Sequence, residues 1–445
     1  MRPPGPRGHH LLGSLLEVRR DRLAFVRGVR ERYGDAVAFR MGPRRLFIFS
    51  HPEAFRSVLT TSGRYIKGPG LAEARPLLGD GLLSADDQTA AAMRKVLAAS
   101  FRPEALRSYA PEMVAATDRA VARWLAADSF DLVDEMFTLT LDVLGQTLLG
   151  ADLGAEAASL AEDIHRIGDW AMRKMTAFVR LPLSVPTPRA RAARQGLRRL
   201  EAWARRLEDA TDRSGNTLPA VLLRAGVEPR RRRDELLTFL LAGHETTAAV
   251  LSWAWWLLGT HPEAEARFHA ELDSVLDGPP TLDDLQRLPF TRAVIDETMR
   301  LYPPVWLVPR HCLGAEQVAG LDIPPRSDVL LCTYTMHRHP DLWPEPEEFR
   351  PERFLVSRGS RDERTIQGAY LPFGLGARSC LGGRFALLEA QLVLASVGRQ
   401  IRLLPKVETV LADPGLTLRP CTAIPTRVGR REPRVQAQKH AGAAA

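Results

Sequence analysis

Most of the sequence between residues 85 and 300 has the pattern of successive helices, with Ala, Leu, Arg and Glu as the dominant residues. Pro182, Pro186 and Pro188 interrupt this pattern, because proline lacks the amide proton that a helix interior needs. We see no internal repeat and no interdomain linker in the sequence. It therefore predicts a mainly α protein with a smaller β-rich subdomain.

The β-rich part is expected outside this helical region. Apolar segments on both sides of a Gly42-Pro43 turn predict an early hairpin. After residue 300 proline becomes frequent and helical signals fade, until a last helix is expected at about 383–399. The predicted strands are 36–40, 46–49, 318–323 and 329–334.

Composition and chain ends restrict the class of protein. With 45% hydrophobic and 26% charged residues, the chain is neither collagen-like nor disordered. Residues 1–429 are predicted to form a single domain, and the polar, Ala-rich segment 430–445 is expected to be a disordered tail. The apolar stretch 248–258 is too short to span a bilayer, and no signal segment is visible, so we expect a cytoplasmic protein.

Charge and cysteine usage exclude further classes. The net charge is +8, and a basic excess favours acidic partners. Only five of the 61 basic residues are lysines. Because such an arginine bias partly reflects coding preference, we do not interpret the excess as a sign of nucleic-acid binding. No two of the four cysteines are spaced as C-x-x-C, which argues against a structural zinc site or a disulfide framework.

The segment 370–383 places one cysteine, Cys380, among glycines that permit unusual backbone angles and close approach to a flat object. A phosphate-binding loop is disfavoured, since Gly374-x-Gly376 is followed neither by a third glycine at 379 nor by Gly-Lys-Ser/Thr. Two interpretations stay open: an inert buried thiol, and a thiolate metal ligand tuned by backbone N–H groups. In the second case Arg378 could pair with an anionic edge of a cofactor.

The spacing Phe373-x-x-Gly376-x-Arg378-x-Cys380-x-Gly382 resembles the haem-binding signature of the cytochrome P450 family. The resemblance implies the cytochrome P450 fold, with the predicted domain as a haem-thiolate catalytic domain that carries haem b. It further implies that Cys380 is the axial thiolate of the haem iron, where a thiolate favours O–O cleavage.

A second motif agrees with this resemblance. Glu297 and Arg300 share a helix face at i, i+3, which alone is a common surface arrangement. In the family the matching residues form a buried ion network behind the cysteine loop, joined by a downstream arginine. The resemblance gives this structural role to Glu297, Arg300 and Arg353.

A third motif, Ala242-Gly243-His244-Glu245-Thr246-Thr247, lies in an apolar helix expected at about 234–260. A zinc protease motif would need a second histidine at position 248, which is Ala, and a simple polar kink is the other alternative. The segment resembles the oxygen-activation helix of the family. By that match Thr246 donates a hydrogen bond to O2, Glu245 relays protons, and Gly243 leaves room for O2.

Arginines are expected to hold the haem propionates. The resemblance assigns this role to Arg94, Arg310 and Arg378. The sequence departs from the family pattern at Ala90, where a Trp or His is usual, so one propionate is expected to lose an N–H donor. Gln88 and His311 are the candidates to replace this N–H donor.

The resemblance implies a monooxygenase that inserts one atom of O2 into an unactivated C–H bond of a lipophilic substrate. Electrons would come ultimately from NAD(P)H through a separate ferredoxin- or flavodoxin-type donor. Segments 301–306, 372–376 and 385–389 look like those of bacterial hydroxylases of carotenoid rings and terpenes, so a carotenoid or another isoprenoid is the expected substrate. We expect a monomer without nucleic-acid binding and with at most peripheral membrane contact, through segment 170–189.

Three rival functions follow from the same residues. A fatty-acid hydroxylase is the alternative substrate class. A peroxygenase is disfavoured by the intact Glu245-Thr246 pair, since peroxide users need no proton relay. A non-catalytic haem-thiolate sensor is also disfavoured, because a sensor would have no use for a complete proton relay. About half of a set of apolar residues is expected to line the substrate pocket: Leu77, Leu78, Leu82, Leu83, Trp170, Met172, Met175, Phe178, Val305, Trp306, Leu307 and Ile424.

Overall fold

Helices dominate the part of the chain that the computed structural model describes, namely residues 4–61, 63–68, 75, 79–85, 87–154, 156–175, 183–355 and 366–431. This confirms the predicted mainly α class. The helices are α1 (Leu15–Arg20), α2 (Arg22–Tyr33), α3 (Pro52–Thr60), α4 (Asp87–Leu97), α5 (Pro103–Ala127), α6 (Leu132–Leu144), α7 (Glu156–Met175), α8 (Pro188–Ala210), α9 (Leu218–Arg224), α10 (Pro229–Thr260), α11 (Pro262–Val275), α12 (Pro289–Leu301), α13 (Thr333–Met336) and α14 (Gly383–Gln400).

The strands are short and form small sheets. They are β1 (Ala36–Met41), β2 (Arg44–Phe49), β3 (Tyr65–Lys67), β4 (Ser129–Asp131), β5 (Val308–Cys312), β6 (Glu316–Val318), β7 (Leu321–Ile323), β8 (Asp328–Leu331), β9 (Ile401–Pro405), β10 (Ala412–Pro414), β11 (Leu418–Pro420) and β12 (Pro425–Arg430).

Helix α10 is the central element of the helical core. It begins at Pro229 rather than near 234, because proline suits the first turn of a helix, where its missing N–H is not needed. The helix packs against α6, α8, α12 and α14, and the three tryptophans Trp253, Trp255 and Trp256 are buried along its C-terminal half. A helix apolar on all sides is stable only inside such a core.

The largest sheet has the strand order β1-β2-β8-β5-β3. The expected hairpin is present as β1 and β2, and β8 pairs with β2 in parallel. The segment expected as one strand at 329–334 ends at Leu331, because its partner β2 ends at the paired Phe49, and α13 follows. The segment expected at 318–323 is two strands, since Ala319 and Gly320 form a turn with positive φ.

The C-terminal strands complete the fold around α10. Strand β12 pairs with β4 and β9, and the β10–β11 hairpin packs on α10. The chain is folded through Arg431, whose guanidinium donates to the Gly398 carbonyl at 2.8 Å and to Asp273 at 2.6 Å. The rest of the expected tail, 432–445, lies outside the described residues.

Among the described residues, no helix combines the length and the apolar character needed to cross a bilayer.

Candidate active site

The cysteine loop is a tight turn fixed by backbone contacts. The backbone N–H of Cys380 donates to the Phe373 carbonyl at 2.8 Å. Gly374 and Gly376 have φ values of 70° and 76°, in the left-handed region that favours glycine. A Cβ on Gly376 would lie 2.4 Å from the Leu59 carbonyl oxygen, so no other residue fits there without a backbone shift.

The sulfur of Cys380 lies in an enclosed but accessible position. The residue retains exposed surface, while the surrounding protein still desolvates its thiol. Burial raises the pKa of the Cys380 thiol, and both the Gly382 amide and the positive charge of Arg94 act in the opposite direction. The structure thus brings Arg94, predicted from a separate motif, into the electrostatic neighbourhood of Cys380.

One face of α10 remains accessible in the middle of an otherwise buried helix. Ala242 is exposed and Gly243 and Thr246 are half-buried, whereas His244 and Glu245 between them are buried. Positions 242, 243 and 246 share a helix face, so they line a space beside the helix. The Thr246 hydroxyl donates to the Ala242 carbonyl at 3.1 Å.

His244 faces the core, on another side of α10. Its ring packs edge-on against Phe137, and its Nδ1–H donates to the Leu240 carbonyl at 2.6 Å. Burial lowers the pKa of His244 to about 4, so the ring is neutral at pH 7. A neutral imidazole bound to its own helix and packed on an aromatic ring fits a core residue rather than the zinc ligand considered above.

Glu245 is buried, and its carboxyl group points to the C-terminal hairpin. The Thr417 hydroxyl donates to Glu245 Oε1 at 2.6 Å. Burial raises the pKa of Glu245, while the hydrogen bond from Thr417 and the charge of Arg419 oppose that increase. Thr417 has no place in the family motifs quoted above, and its position became apparent only from the fold.

Two further predicted arginines meet at strand β3. Arg378 donates to the Tyr65 carbonyl at 2.6 Å, and Arg310 is buried on β5, directly across from Lys67. The Lys67 ammonium donates to the Leu82 carbonyl at 2.6 Å. Lys67 was missed because only the antiparallel register of β3 and β5 brings it to Arg310.

The position that departs from the family pattern is buried. Ala90 lies in the core side of α4, whereas Gln88 is exposed. His311, the other replacement considered, already pairs through Nδ1 with Asp328 Oδ1 at 2.7 Å. Its Nδ1 is therefore not available as a donor to another anion while that pair is intact.

The predicted ion network is assembled completely and is buried. The Arg300 guanidinium donates to both Glu297 oxygens, at 2.7 and 2.9 Å, and neither side chain has accessible surface. Arg353 Nε donates to Glu297 Oε1 at 3.2 Å, and the Arg350 backbone N–H donates to the same oxygen at 2.9 Å. Each oxygen of this buried carboxylate is thus compensated by a cationic or amide donor.

Two contacts join this network to the start of the cysteine loop. The His337 carbonyl accepts from Arg300, at 2.9 Å, and its ring Nε2 accepts from the Leu371 backbone N–H at 3.1 Å. The Tyr370 hydroxyl donates to Asp296, the neighbour of Glu297, at 3.0 Å. Burial and the nearby Arg300 charge lower the pKa of His337 to about 3, so its ring stays neutral and can accept.

The segment 79–85 is fastened to the N-terminal end of α10. The Asp80 backbone N–H donates to Asp234 at 2.8 Å, and the Leu82 backbone N–H donates to Glu235 at 2.9 Å. Both carboxylates are buried and each pairs with an arginine of the same helix. Leu82 is thereby held in place between α10 and Lys67.

The expected pocket residues fall into three groups. Trp170, Trp306 and Ile424 are buried core residues, whereas Leu82, Leu83 and Leu307 are half-buried and Val305 is exposed. Leu77, Leu78 and Phe178 lie outside the described residues, as do the side chains of Met172 and Met175.

Comparison with known proteins agrees with this fold. The family model described as Cytochrome P450 matches residues 3–421. The chain is 34% identical to Cyclooctatin synthase of Streptomyces melanosporofaciens, over 93% of this chain and 91% of that protein. It is also 34% identical to Cyclooctat-9-en-7-ol 5-monooxygenase of the same organism, over 90% and 89% of the two chains. It is 31% identical to Pentalenene oxygenase of Streptomyces avermitilis, over 92% and 91%.

A mainly helical fold with a glycine-flanked cysteine loop and a buried Glu-Arg-Arg network defines the class of haem-dependent oxygenases. The chain belongs to the cytochrome P450 family. It is a monooxygenase of that family, which uses haem iron and O2.

Proposed function

We propose that this monooxygenase holds haem b through Cys380 and hydroxylates an unactivated C–H bond of a cyclic terpene. The overall reaction consumes one substrate C–H bond, one O2, two electrons and two protons, and yields the alcohol and one water. The observation that carries the proposal is the Cys380 loop, with a thiol aligned by backbone contacts near Arg94. When bound, the haem supplies the chemistry that activates O2.

The donor set around Cys380 suits a haem. A thiolate that accepts the Gly382 N–H and lies near a cation is stabilised as a metal ligand. Arg94, Arg310 and Arg378 hold the propionates, as guanidinium groups recognise carboxylates. Phe373, Gly376 and Gly382 would let the loop approach the flat macrocycle, as the family match implies.

The accessible face of α10 manages O2 and protons. A Cβ at Gly243 would lie 3.0 Å from the Leu144 side chain, so the glycine lets α6 pack closely against α10 at this point. The family match gives Gly243 the further role of leaving room for O2. Thr246 presents its hydroxyl on the accessible face, where it donates to the Ala242 carbonyl; during the reaction it would donate this hydrogen bond to O2 instead. Glu245 holds the proton that replaces the one that Thr246 gives.

The buried ion network has a structural role. Glu297, Arg300 and Arg353 hold the cysteine loop at a fixed distance from α12 through His337, and Asp296 of the same helix adds a second contact through Tyr370. A loop held by buried, compensated charges keeps its ligand within the narrow geometric tolerance that a metal site requires.

The substrate class follows from the relatives. Their names state that they act on cyclooctat-9-en-7-ol and pentalenene, or form cyclooctatin, and these are terpene names. A cyclic terpene is therefore preferred to a carotenoid or a fatty acid for this chain. Apolar side chains such as half-buried Leu82, held beside α10, would suit a hydrocarbon surface.

The electrons come from a separate ferredoxin- or flavodoxin-type protein that is reduced by NAD(P)H. A net charge of +8 suits such an acidic donor, because opposite charges steer the encounter. The protein works as a single catalytic domain and as a monomer.

A substrate-binding screen tests the proposal. The purified ferric protein is titrated with cyclic terpene hydrocarbons and alcohols, carotenoids and long-chain fatty acids, and the haem absorbance difference is recorded. Cyclic terpenes should displace the water ligand and shift the Soret band, and turnover with labelled O2 should place one labelled atom in the product.

The controls separate the rival functions. If only fatty acids shift the band, the proposed substrate class is wrong. If peroxide alone supports the same rate as the electron-transfer chain, the protein is a peroxygenase. If a terpene binds but no electron source yields product, the sensor interpretation replaces the enzyme.

A further inference from the structure

The β10–β11 hairpin is held by hydrogen bonds on both sides of residue 417, one from α10 and one from the segment before β5. The Trp253 indole N–H, on α10, donates to the Leu418 carbonyl at 3.3 Å. The Trp306 indole N–H donates to the Gly415 carbonyl at 3.2 Å. Both indoles are buried, so the backbone that carries Thr417 has little freedom to move relative to α10.

The Thr417 side chain reaches α10 at Glu245. Both residues are buried, and the 2.6 Å hydrogen bond turns the Glu245 carboxyl group toward the hairpin. The next residue, Thr246, lies on the accessible face of the helix. The chain thus continues from Glu245 to Thr246 on the accessible face, while the Glu245 carboxyl group lies at the hairpin.

The outer side of the hairpin is open to water. Asp413 and Arg419 form an ion pair at 3.7 Å, and each side chain is about one-third exposed. These two residues, with Pro420 and Cys421, line a surface hollow. Both charges act on Glu245, with Asp413 raising its pKa and Arg419 lowering it.

We propose that Thr417 is the positioning residue for Glu245, whose carboxyl group its hydroxyl holds at the β10–β11 hairpin. The hydroxyl can donate this hydrogen bond whether the carboxyl group is ionised or protonated, since a carboxyl oxygen accepts in both states. The inference rests on the proposed function, because it assumes that Glu245 is a relay.

Infrared spectroscopy of the carboxyl group tests the contact without any turnover. The Glu245 C=O band is identified as the band missing from Glu245→Gln. In Thr417→Val, which keeps the side-chain shape, the band should move to higher wavenumber, because the carbonyl loses its hydrogen-bond donor. Thr417→Ser should keep the band, and so should Thr426→Val, a buried threonine on β12 that donates to the Ile424 carbonyl instead.

Two charge variants test whether the charges of the hairpin act on Glu245. Arg419→Gln removes a positive charge near Glu245 and should raise the pH at which the band titrates, whereas Asp413→Asn should lower it. The adjacent His244 ring is neutral and packs against Phe137 on another side of α10. Shifts of the same sign, or no shift in either variant, would overturn the placement of the Glu245 carboxyl group at this hairpin.

Coupling of electron use to product formation gives the functional readout. In Thr417→Val, the yield of product per electron should fall about tenfold. This is less than the ~100-fold minimum effect of removing a general acid, because Thr417 only positions Glu245. Thr417→Ser should recover most of the yield. A Thr417→Val protein with an unchanged band and unchanged coupling would refute the inference. If the wild-type protein oxidises no terpene, the proposed function fails, while the infrared result still decides the position of Glu245.

Discussion

The Nε2 atom of His337 accepts a hydrogen bond from the backbone N–H of Leu371 at 3.1 Å. The carbonyl of the same histidine accepts from the buried Arg300 guanidinium at 2.9 Å. His337 therefore links the ion network on α12 to the residue that begins the cysteine loop. This link requires a neutral ring, and burial beside Arg300 keeps its pKa near 3.

Removal of the His337 acceptor should destabilise the fold and loosen the loop. His337→Leu leaves the Leu371 N–H buried without its partner, which costs about 1–3 kcal/mol in the free energy of unfolding. We expect a smaller fraction of the reduced, CO-treated protein to show the long-wavelength thiolate band. His269→Leu is the matched control, since His269 is also buried but binds the Gly398 carbonyl between α11 and α14. Equal band fractions in the two variants would contradict the linking role.

The charge of Glu297 should matter far more than that of a surface glutamate. Glu297→Gln leaves the Arg300 and Arg353 charges buried without their carboxylate, and we expect a loss of about 3–5 kcal/mol in urea unfolding. The control is Glu352→Gln, whose half-exposed ion pair with Arg267 at 2.8 Å should contribute less than about 1 kcal/mol. Similar midpoints for both variants would show that the buried network does not hold the fold.

Two glycines of the cysteine loop form a matched pair. Gly374→Ala should cost about 1–2 kcal/mol, because its φ of 70° is unfavourable for alanine although the nearest atom, Ser379 Cα, is 3.9 Å from the new Cβ. Gly376→Ala has the same conformational cost and also brings its Cβ to 2.4 Å from the Leu59 carbonyl oxygen. We expect thermal unfolding and haem retention to rank Gly376→Ala well below Gly374→Ala. If Gly374→Ala were the less stable of the two variants, the close contact between Gly376 and the Leu59 carbonyl would not be what limits the loop.

A buried glutamic acid should make stability depend on pH. Glu389 on α14 has no accessible surface, and burial raises its pKa well above the usual range although the Thr247 hydroxyl opposes this. The folded protein then keeps a proton that the unfolded chain releases above about pH 4.5, so stability falls by about 1.4 kcal/mol per pH unit as pH rises toward the folded pKa. Glu389→Gln should remove this decline. Parallel urea stability curves of the two proteins from pH 5 to pH 8 would contradict the expectation.

Local motifs made much of the site predictable. Cys380, Glu297 and Thr246 lie in short segments whose residue spacing alone carries the resemblance, and the structure places these segments on a loop, on α12 and on α10. The helix class also followed from local pattern, since long apolar helices such as α10 are strongly periodic or continuously apolar. The end of β8 at Leu331 did not, because it depends on where the partner strand β2 ends.

Long-range contacts explain what the sequence did not reveal. Thr417 meets Glu245 across 172 positions of the chain, and Lys67 meets Arg310 only through a strand register. His337 appears in the sequence as one of two histidines in Met336–His339, with no spacing that links it to Leu371. Such residues carry no local signature, since their function depends on tertiary packing rather than on their neighbours in sequence.

The absorption spectrum of the purified protein after reduction and addition of CO tests the central claim most directly. We expect the wild-type protein to show the long-wavelength band of a thiolate-ligated haem, and Cys380→Ala to lose it. Cys421→Ala is the control, since Cys421 is an exposed cysteine of the C-terminal hairpin region, and this variant should retain the band. A colourless protein, or a band at the position of histidine-ligated haem in the wild type, would contradict the assignment of Cys380 as the iron ligand.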